Sequence, residues 1–285
     1  MKARTIHLLS VVALALVLLG LAATGFAKPK AKGQKISSTE EIDGAVMAGV
    51  EGARLQAEHA EVLFETILGV KLVGYRETET LSELLYELRS GRADVICCPD
   101  VVAEYLLKTE EDLVRLTAPE DKSGGTEDGG RLSFAMAMQK DRDDLKNELD
   151  AAISELEEEG VLKALAVAYV DADAPMEIYQ EKKSAGKQTL YVGVSGTVPP
   201  LELVDEYGRP CGFCVAFLQE LEKRTGYCFE TVPVTPKESF TFLNSGKIDL
   251  LFAYGTSKNT TPGEKDYLVT KGYYTMDEYA YLVLK

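Results

Sequence analysis

The chain has 285 residues, 46% of them hydrophobic and 27% charged, enough apolar material for one large domain or two modest lobes. Its formal net charge of −15 becomes −17 without the first 27 residues, which hold Lys2 and Arg4 and no acid. An acidic chain without basic blocks is a poor partner for a phosphate backbone, so no nucleic-acid partner is expected and the charge serves solubility.

Lys2 and Arg4 precede an apolar run from Leu8 to Ala27 that closes on the small residues Thr24, Gly25 and Ala27. This is the pattern of a cleaved signal peptide over residues 1–27, and it predicts a periplasmic or extracellular protein. An uncleaved anchor is the alternative, since about 20 apolar residues can span a bilayer. No Cys stands near the cut, which excludes lipid attachment there. Residues 28–35 read as a polar tether. A short buried strand is predicted over Ala45–Val50, ending at Gly52, and helical periodicity follows from Ala53. KLVGYR, from Lys71, is a second strand. TETLSELLYELRSG is an amphipathic helix ending on Gly91, and Asp94–Cys98 is a third strand closed by Pro99. Strand, helix, strand, helix, strand is the wiring of a parallel sheet.

Residues 118–130, rich in glycine and charge, read as an exposed connection. LSFAMAMQK then forms a strand, and a helix pair runs through to Val170. A polar linker over 171–187 leads to a second half that repeats the first. LYVGVSG, from Leu190, is a strand ending in glycine, VPPLELVDEYGRP a turn, and GFCVAFLQELEKRTG an amphipathic helix. YCFETVPV, KESFTFLNSG and IDLLFAYG complete a strand, a helix and a strand. One phrase occurs in both halves: LRSGRAD from Leu88 and LNSGKID from Leu243. Each marks a helix-to-strand corner, with the glycine in the left-handed turn and a strand buried on both faces beyond it.

Five cysteines are present: Cys97, Cys98, Cys211, Cys214 and Cys228. The spacing of Cys211 and Cys214 suits a redox or metal half-site, but a single C-x-x-C without a second pair is weak evidence for zinc, and no metal or cofactor is expected. A helix of about 12 residues separates its ends by roughly 18 Å, which argues against a bridge from Cys211 or Cys214 to Cys228. Buried, reduced thiols are expected. Beyond the first 27 residues the only histidine is His59, on a predicted helix, which argues against Ser-His-Asp or Cys-His chemistry.

These elements resemble the bacterial extracellular solute-binding proteins of family 3, the amino-acid-binding type. From Leu190 to Lys285 the chain is similar to that family's opening, through YVGVSGTVPPLELVDEYGRPCGF, SGKIDLL and TPGEKDYLVTKGYY. From Ile36 to Val170 it resembles the family's closing part, through VMAGVEGA, SGRADVI and LSFAMAMQKDRDDLKNELDAAISELEEEGVLKAL. The resemblance implies an α/β fold of two Rossmann-like lobes around a ligand cleft, the periplasmic binding protein-like II fold, with the blocks in circularly permuted order. Residues 36–130 would form lobe 2 and 131–285 lobe 1, each continuous in sequence, with 171–187 joining the family's usual termini. A fragment of a tandem array is the competing explanation, and the signal peptide directly ahead of Ile36 favours a complete permuted gene.

In α/β lobes, ligands bind beyond the carboxyl ends of the strands. The resemblance implies an Arg after a TPE-like motif for a ligand carboxylate, an Asp after the lobe-2 corner for an ammonium, and hydroxyls after the strand-end glycine. Here Gly263 and Glu264 stand about where the Arg belongs, with Lys265 beside them, and Pro99 stands where the acid is expected, with Asp100 next. Ala53 and Arg54 follow Gly52, and Val198 takes an aromatic residue's place. The candidate ligand-binding residues are Gly52, Ala53, Arg54, Asp100, Val198, Leu201, Tyr254, Thr256, Ser257 and Lys265. Arg54, near a helix N-terminus, is the candidate cation for an anionic group. Tyr267, Tyr273 and Tyr274 read as packing.

The expected function is non-enzymatic capture of a small polar molecule, an amino acid or related organic anion, by a monomer. The partner would be an ABC-type permease or a membrane sensor. The alternative is an enzyme on the same scaffold, a dehydratase or lyase, with Glu51 or Asp100 as the acid or base. A thiol oxidoreductase using Cys211 and Cys214 is a more distant third.

Overall fold

The two copies of the repeated phrase build the same corner, residue for residue. The computed structural model describes residue 29 and residues 34–50, 69–117, 131–172, 178–179, 186–256, 266–277 and 279–285. The expected signal peptide and anchor, most of the tether and the helix after Gly52 lie outside the described residues. In the first copy, helix α1 (Leu81–Arg89) ends at Ser90 and Gly91 takes φ +68°. In the second, the later helix Pro236–Ser245 ends at Gly246 with φ +72°. The basic residue that follows reaches back to the last turn: Arg92 N–H donates to Glu87 O at 3.0 Å, and Lys247 N–H donates to Phe242 O at 2.9 Å. Leu88 and Leu243 are buried beneath the turn.

The aspartate closes each corner onto another strand. Asp94 Oδ2 accepts the Val46 amide at 2.8 Å, and the Asp94 amide donates to Val46 O at 2.7 Å. Asp249 treats Tyr191 in the same way, at 2.9 and 2.8 Å. Val46 opens β1 (Val46–Val50), and Tyr191 lies near the start of the strand that opens the second half. The aspartate therefore pins the third strand of each half beside its first.

The first sheet has the order β2-β1-β3-β13-β4, with β2 (Gly74–Thr78), β3 (Val95–Cys98), β4 (Leu113–Arg115) and β13 (Ala280–Leu284). The second has the order β11-β5-β10-β6-β9, with β5 (Arg131–Met138), β6 (Thr189–Val194), β9 (Cys228–Pro233), β10 (Leu250–Thr256) and β11 (Leu268–Val269). In each, three strands run parallel and a fourth runs antiparallel beside them. β13 pairs Ala280 with Cys98 and Leu282 with Arg115, while β5 pairs Phe134 with Gly255. β12 (Tyr274–Asp277) also pairs with β5, and a small hairpin joins β7 (Leu203–Val204) to β8 (Pro210–Cys211). The central parallel strands β1, β3 and β10 are largely buried apolar runs, as strands covered on both faces must be, and all of β3 is buried.

The α/β class is as expected, but the lobes are not continuous in sequence. Strand β13, assigned from sequence to the lobe over 131–285, lies inside the first sheet between β3 and β4. There Ala280, Leu282 and Val283 are buried, so its apolar side chains complete that sheet's core. Strand β2 also starts later than the sequence pattern predicts, at Gly74 rather than Lys71. Within the expected 171–187 linker, Tyr179 bridges to Cys211.

Helices α2 (Asp100–Thr109), α3 (Asp143–Glu158), α4 (Val161–Ala166), α5 (Phe213–Thr225) and α6 (Pro236–Ser245) complete the layers. α3 buries Leu145, Leu149, Ala152, Ile153 and Leu156, one face at helical spacing. Both α1 and α6 start on a Thr-x-x-Glu box: Thr80 Oγ1 accepts the Glu83 amide at 3.1 Å, and Thr235 Oγ1 accepts the Glu238 amide at 3.3 Å. One apolar cluster runs from α1 and α2 through Phe134 to Phe213 and Phe217 on α5, so both halves share a core. No helix among the described residues is long and apolar enough to cross a membrane.

Asp249→Ala removes a carboxylate that accepts a backbone amide and pairs with Arg142 at 3.0 Å, and it should cost about 1–3 kcal/mol in urea unfolding. Asp94→Ala, at a more exposed corner, should cost about 1 kcal/mol. Sitting in different sheets, the two losses should add in the double variant.

Candidate functional site

The carboxyl ends of both parallel sets lead to one region. Glu79, just past β2, pairs with Lys237 in the first turn of α6, just past β9. The Val101 amide in the first turn of α2 donates to Met276 Sδ on β12 at 3.2 Å. The strand-end edges of the two sheets thus face one another, which is where an α/β fold binds ligands.

Of the expected site residues, Gly52, Ala53, Arg54, Ser257 and Lys265 lie outside the described residues, as do Glu51 and His59. The others are placed as follows. Asp100 opens α2 and is held by Arg115 at 2.7 Å, with Arg115 also 2.9 Å from Glu104. Val198 and Leu201 are buried in the loop that follows β6. Tyr254 is buried edge-on to Phe240, with ring centroids 6.3 Å apart. Thr256 donates its hydroxyl to Ser133 O at 3.0 Å. Asp100, Tyr254 and Thr256 are thus committed to protein partners in this structure.

The tyrosines read as packing do pack. Tyr273 lies 4.5 Å from Phe217 and 5.1 Å from Phe252, ring to ring, and Tyr267 lies 5.1 Å from Phe240. Tyr273 also carries a polar duty. The register of β10 against β5 slips between Leu251 and Tyr254, and Ala253 sits there at φ +46°, in the left-handed region that favours glycine. The amide freed by this bulge donates to Tyr273 Oη at 2.9 Å.

The loop after β6 holds a group that the sequence reading passed over. Glu202 is 1% exposed, the one buried acidic residue among the described residues. Ser195 donates to it twice, from its hydroxyl to Oε2 at 2.7 Å and from its amide to Oε1 at 3.3 Å. Burial pushes its carboxyl up to about 7, against the pull of those donors and the neighbouring loop amides. An acid inside the apolar stretch VPPLELV was the available signal, since carboxylates seldom sit in such runs unless they have a buried partner.

None of the five cysteines is in a disulfide; four are buried and Cys228 is half-buried. Cys214 donates its thiol to Cys211 O at 3.3 Å, and burial raises its pKa well above the ordinary thiol value. Burial pushes the Cys98 thiol up to about 12. Such thiols are poor nucleophiles. Among the described residues, no cluster of three or more His, Cys, Asp or Glu is placed to hold a metal ion.

Residues 190–285 match the sequence profile of the bacterial extracellular solute-binding proteins, family 3. That match covers about a third of the chain, and the two similarly ordered α/β sheets are of the kind the resemblance implies. No curated protein matches the chain. Among solved structures it is similar to the ligand-binding component of an ABC-type import system from Staphylococcus aureus with zinc bound. The identity there is 12% and the TM-score 0.39, covering 84% of this chain and 65% of that one. It is similar also to a phosphate-binding protein of a phosphate ABC transporter from Streptococcus pneumoniae, at 12% identity and TM-score 0.37, covering 85% and 90%. A third is an ancestral amino acid-binding protein, a precursor of cyclohexadienyl dehydratase, at 10% identity and TM-score 0.38, covering 84% and 82%. The chain thus spans less than two thirds of the first of these.

Two outcomes follow from the contacts. The Glu79–Lys237 pair is exposed at both ends, so a double-mutant cycle with Glu79→Gln and Lys237→Gln should give a coupling of about 0.2–1 kcal/mol that vanishes at about 1 M salt. Tyr273→Phe leaves the half-buried Ala253 amide without its acceptor and should cost about 1 kcal/mol by chemical denaturation.

Proposed function

We propose that this chain is an exported solute-binding protein that holds a small polar molecule between its two sheets and presents it to an ABC-type transporter or a membrane sensor. The observation that carries this reading is the approach of the two sets of strand ends, bridged by the Glu79–Lys237 pair and by the Val101 amide on Met276. The profile match over residues 190–285 supports the class. The matched positions of β5 and β13, each an antiparallel strand supplied to one sheet from the other half of the sequence, support a circularly permuted order of a two-lobed fold.

The reading is non-catalytic. Asp100, the described carboxylate that a dehydratase or lyase would need, is tied to Arg115. An ordinary α-amino acid needs both its carboxylate and its ammonium satisfied in a closed cleft, because a buried unpaired charge is costly. Asp100 is already engaged, so the cleft favours a ligand without a free ammonium, and Arg54 is its cation.

Calorimetry across the common amino acids and a set of small organic anions tests this. The expected outcome is binding of an anion, abolished by Arg54→Ala and little changed by Lys265→Ala. Tight binding of an ordinary amino acid that survives Arg54→Ala would overturn the reading.

A further inference from the structure

Among the described residues Glu202 forms no ion pair, and its side-chain partners are hydroxyls in series. Ser195 Oγ lies 2.7 Å from Glu202 Oε2 and 2.7 Å from Thr197 Oγ1. The Thr197 amide also donates to Ser195 Oγ, at 3.3 Å. A hydroxyl has one proton and two lone pairs, so the direction of such a chain is set at its end. With Glu202 ionised, Ser195 donates to the carboxylate and Thr197 donates to Ser195. Thr197 Oγ1 then has no proton, only its two lone pairs, to offer anything outside. With Glu202 protonated, the carboxyl O–H donates to Ser195, Ser195 donates to Thr197, and the Thr197 proton is released. Ser195 Oγ is saturated in both states, because it also accepts the Thr197 amide. Thr197 is therefore the member whose outward character changes.

We propose that Glu202, Ser195 and Thr197 form a proton-controlled relay that turns Thr197, on the loop at the carboxyl end of β6, from an acceptor into a donor when Glu202 takes up a proton. The proposal rests on the reading of the cleft as a ligand site and specifies its chemistry. A ligand oxygen of a carboxylate, carbonyl or phosphate is met by a donor at the lower pH, and a ligand N–H or O–H by an acceptor at the higher. The carboxyl value of about 7 puts the change near neutrality. The titratable neighbours do not interfere. Cys214 on α5 and Tyr273 ahead of β12 interact electrostatically with the carboxylate, and burial keeps both protonated throughout this range.

The relay is testable without any ligand. The folded carboxyl value lies above the ordinary 4.5, so its stabilising contribution is full below that value and is lost as pH rises to about 7. In a background with His7 and His59 replaced by Gln, the unfolding equilibrium constant should rise by about tenfold per pH unit across that window. Glu202→Gln should flatten the rise. By NMR, the Glu202 carboxyl carbon and the hydroxyl-bearing Thr197 Cβ should titrate together. Ser195→Ala should uncouple them, and Thr197→Val should leave the Glu202 titration in place. A Glu202 carboxyl that titrates at the ordinary value, or a Thr197 Cβ that ignores it, overturns the relay. Either result leaves the ligand screen above standing on its own.

Discussion

Each sheet is organised around one aspartate that arrives at the start of its third parallel strand and takes hold of its first. Asp94 and Asp249 use the same two atoms for this, a carboxylate oxygen for an incoming amide and their own amide for the opposing carbonyl. A parallel pair has no tight turn to set its register, so the crossover helix must deliver the strand at the right height. The Leu-x-Ser-Gly-basic-x-Asp corner does this. The leucine anchors the helix in the core, the glycine reverses the chain, the basic residue's amide closes the last helical turn, and the aspartate fixes the register. The positions of the helix N-termini, the strand-end loops and the cleft between them all follow from that register.

This corner was legible because every residue in it answers a local demand: a left-handed turn, a buried leucine, a carboxylate beside a free amide. The Thr-x-x-Glu starts of α1 and α6 and the fully apolar β3 were legible for the same reason. Strand β13 was not. Its residues, AYLVL, satisfy the pattern of a strand in either sheet, and nothing nearby in sequence says that its partners are Cys98 and Val114.

The site was harder to read. Asp100 looked available because its partner Arg115 is 15 positions away and on another element. Tyr254 and Thr256 alternate along β10 in a way that suggests outward display, but the bulge at Ala253 changes how that stretch is presented. Glu202 was hidden by its setting, since its hydroxyl partner Ser195 sits on the far side of a Pro-Pro turn. In each case a pairwise contact through space decided the role, and composition carries no trace of it.

The exchange of strands β5 and β13 also bears on how the protein is made. Strand β3 leaves the ribosome more than 180 residues ahead of β13, its antiparallel neighbour. Until then the first sheet has an open edge of unpaired amides and carbonyls beside a fully apolar strand, the kind of edge that recruits foreign strands. The second sheet has no such wait, because β5 is synthesised before the strands it joins. Assembly is therefore ordered: the later half of the chain can complete its sheet first, and the earlier half is finished by the strand that comes from it. Contacts of that sequence separation are slow to form, so the unfinished first sheet is where a chaperone would be needed.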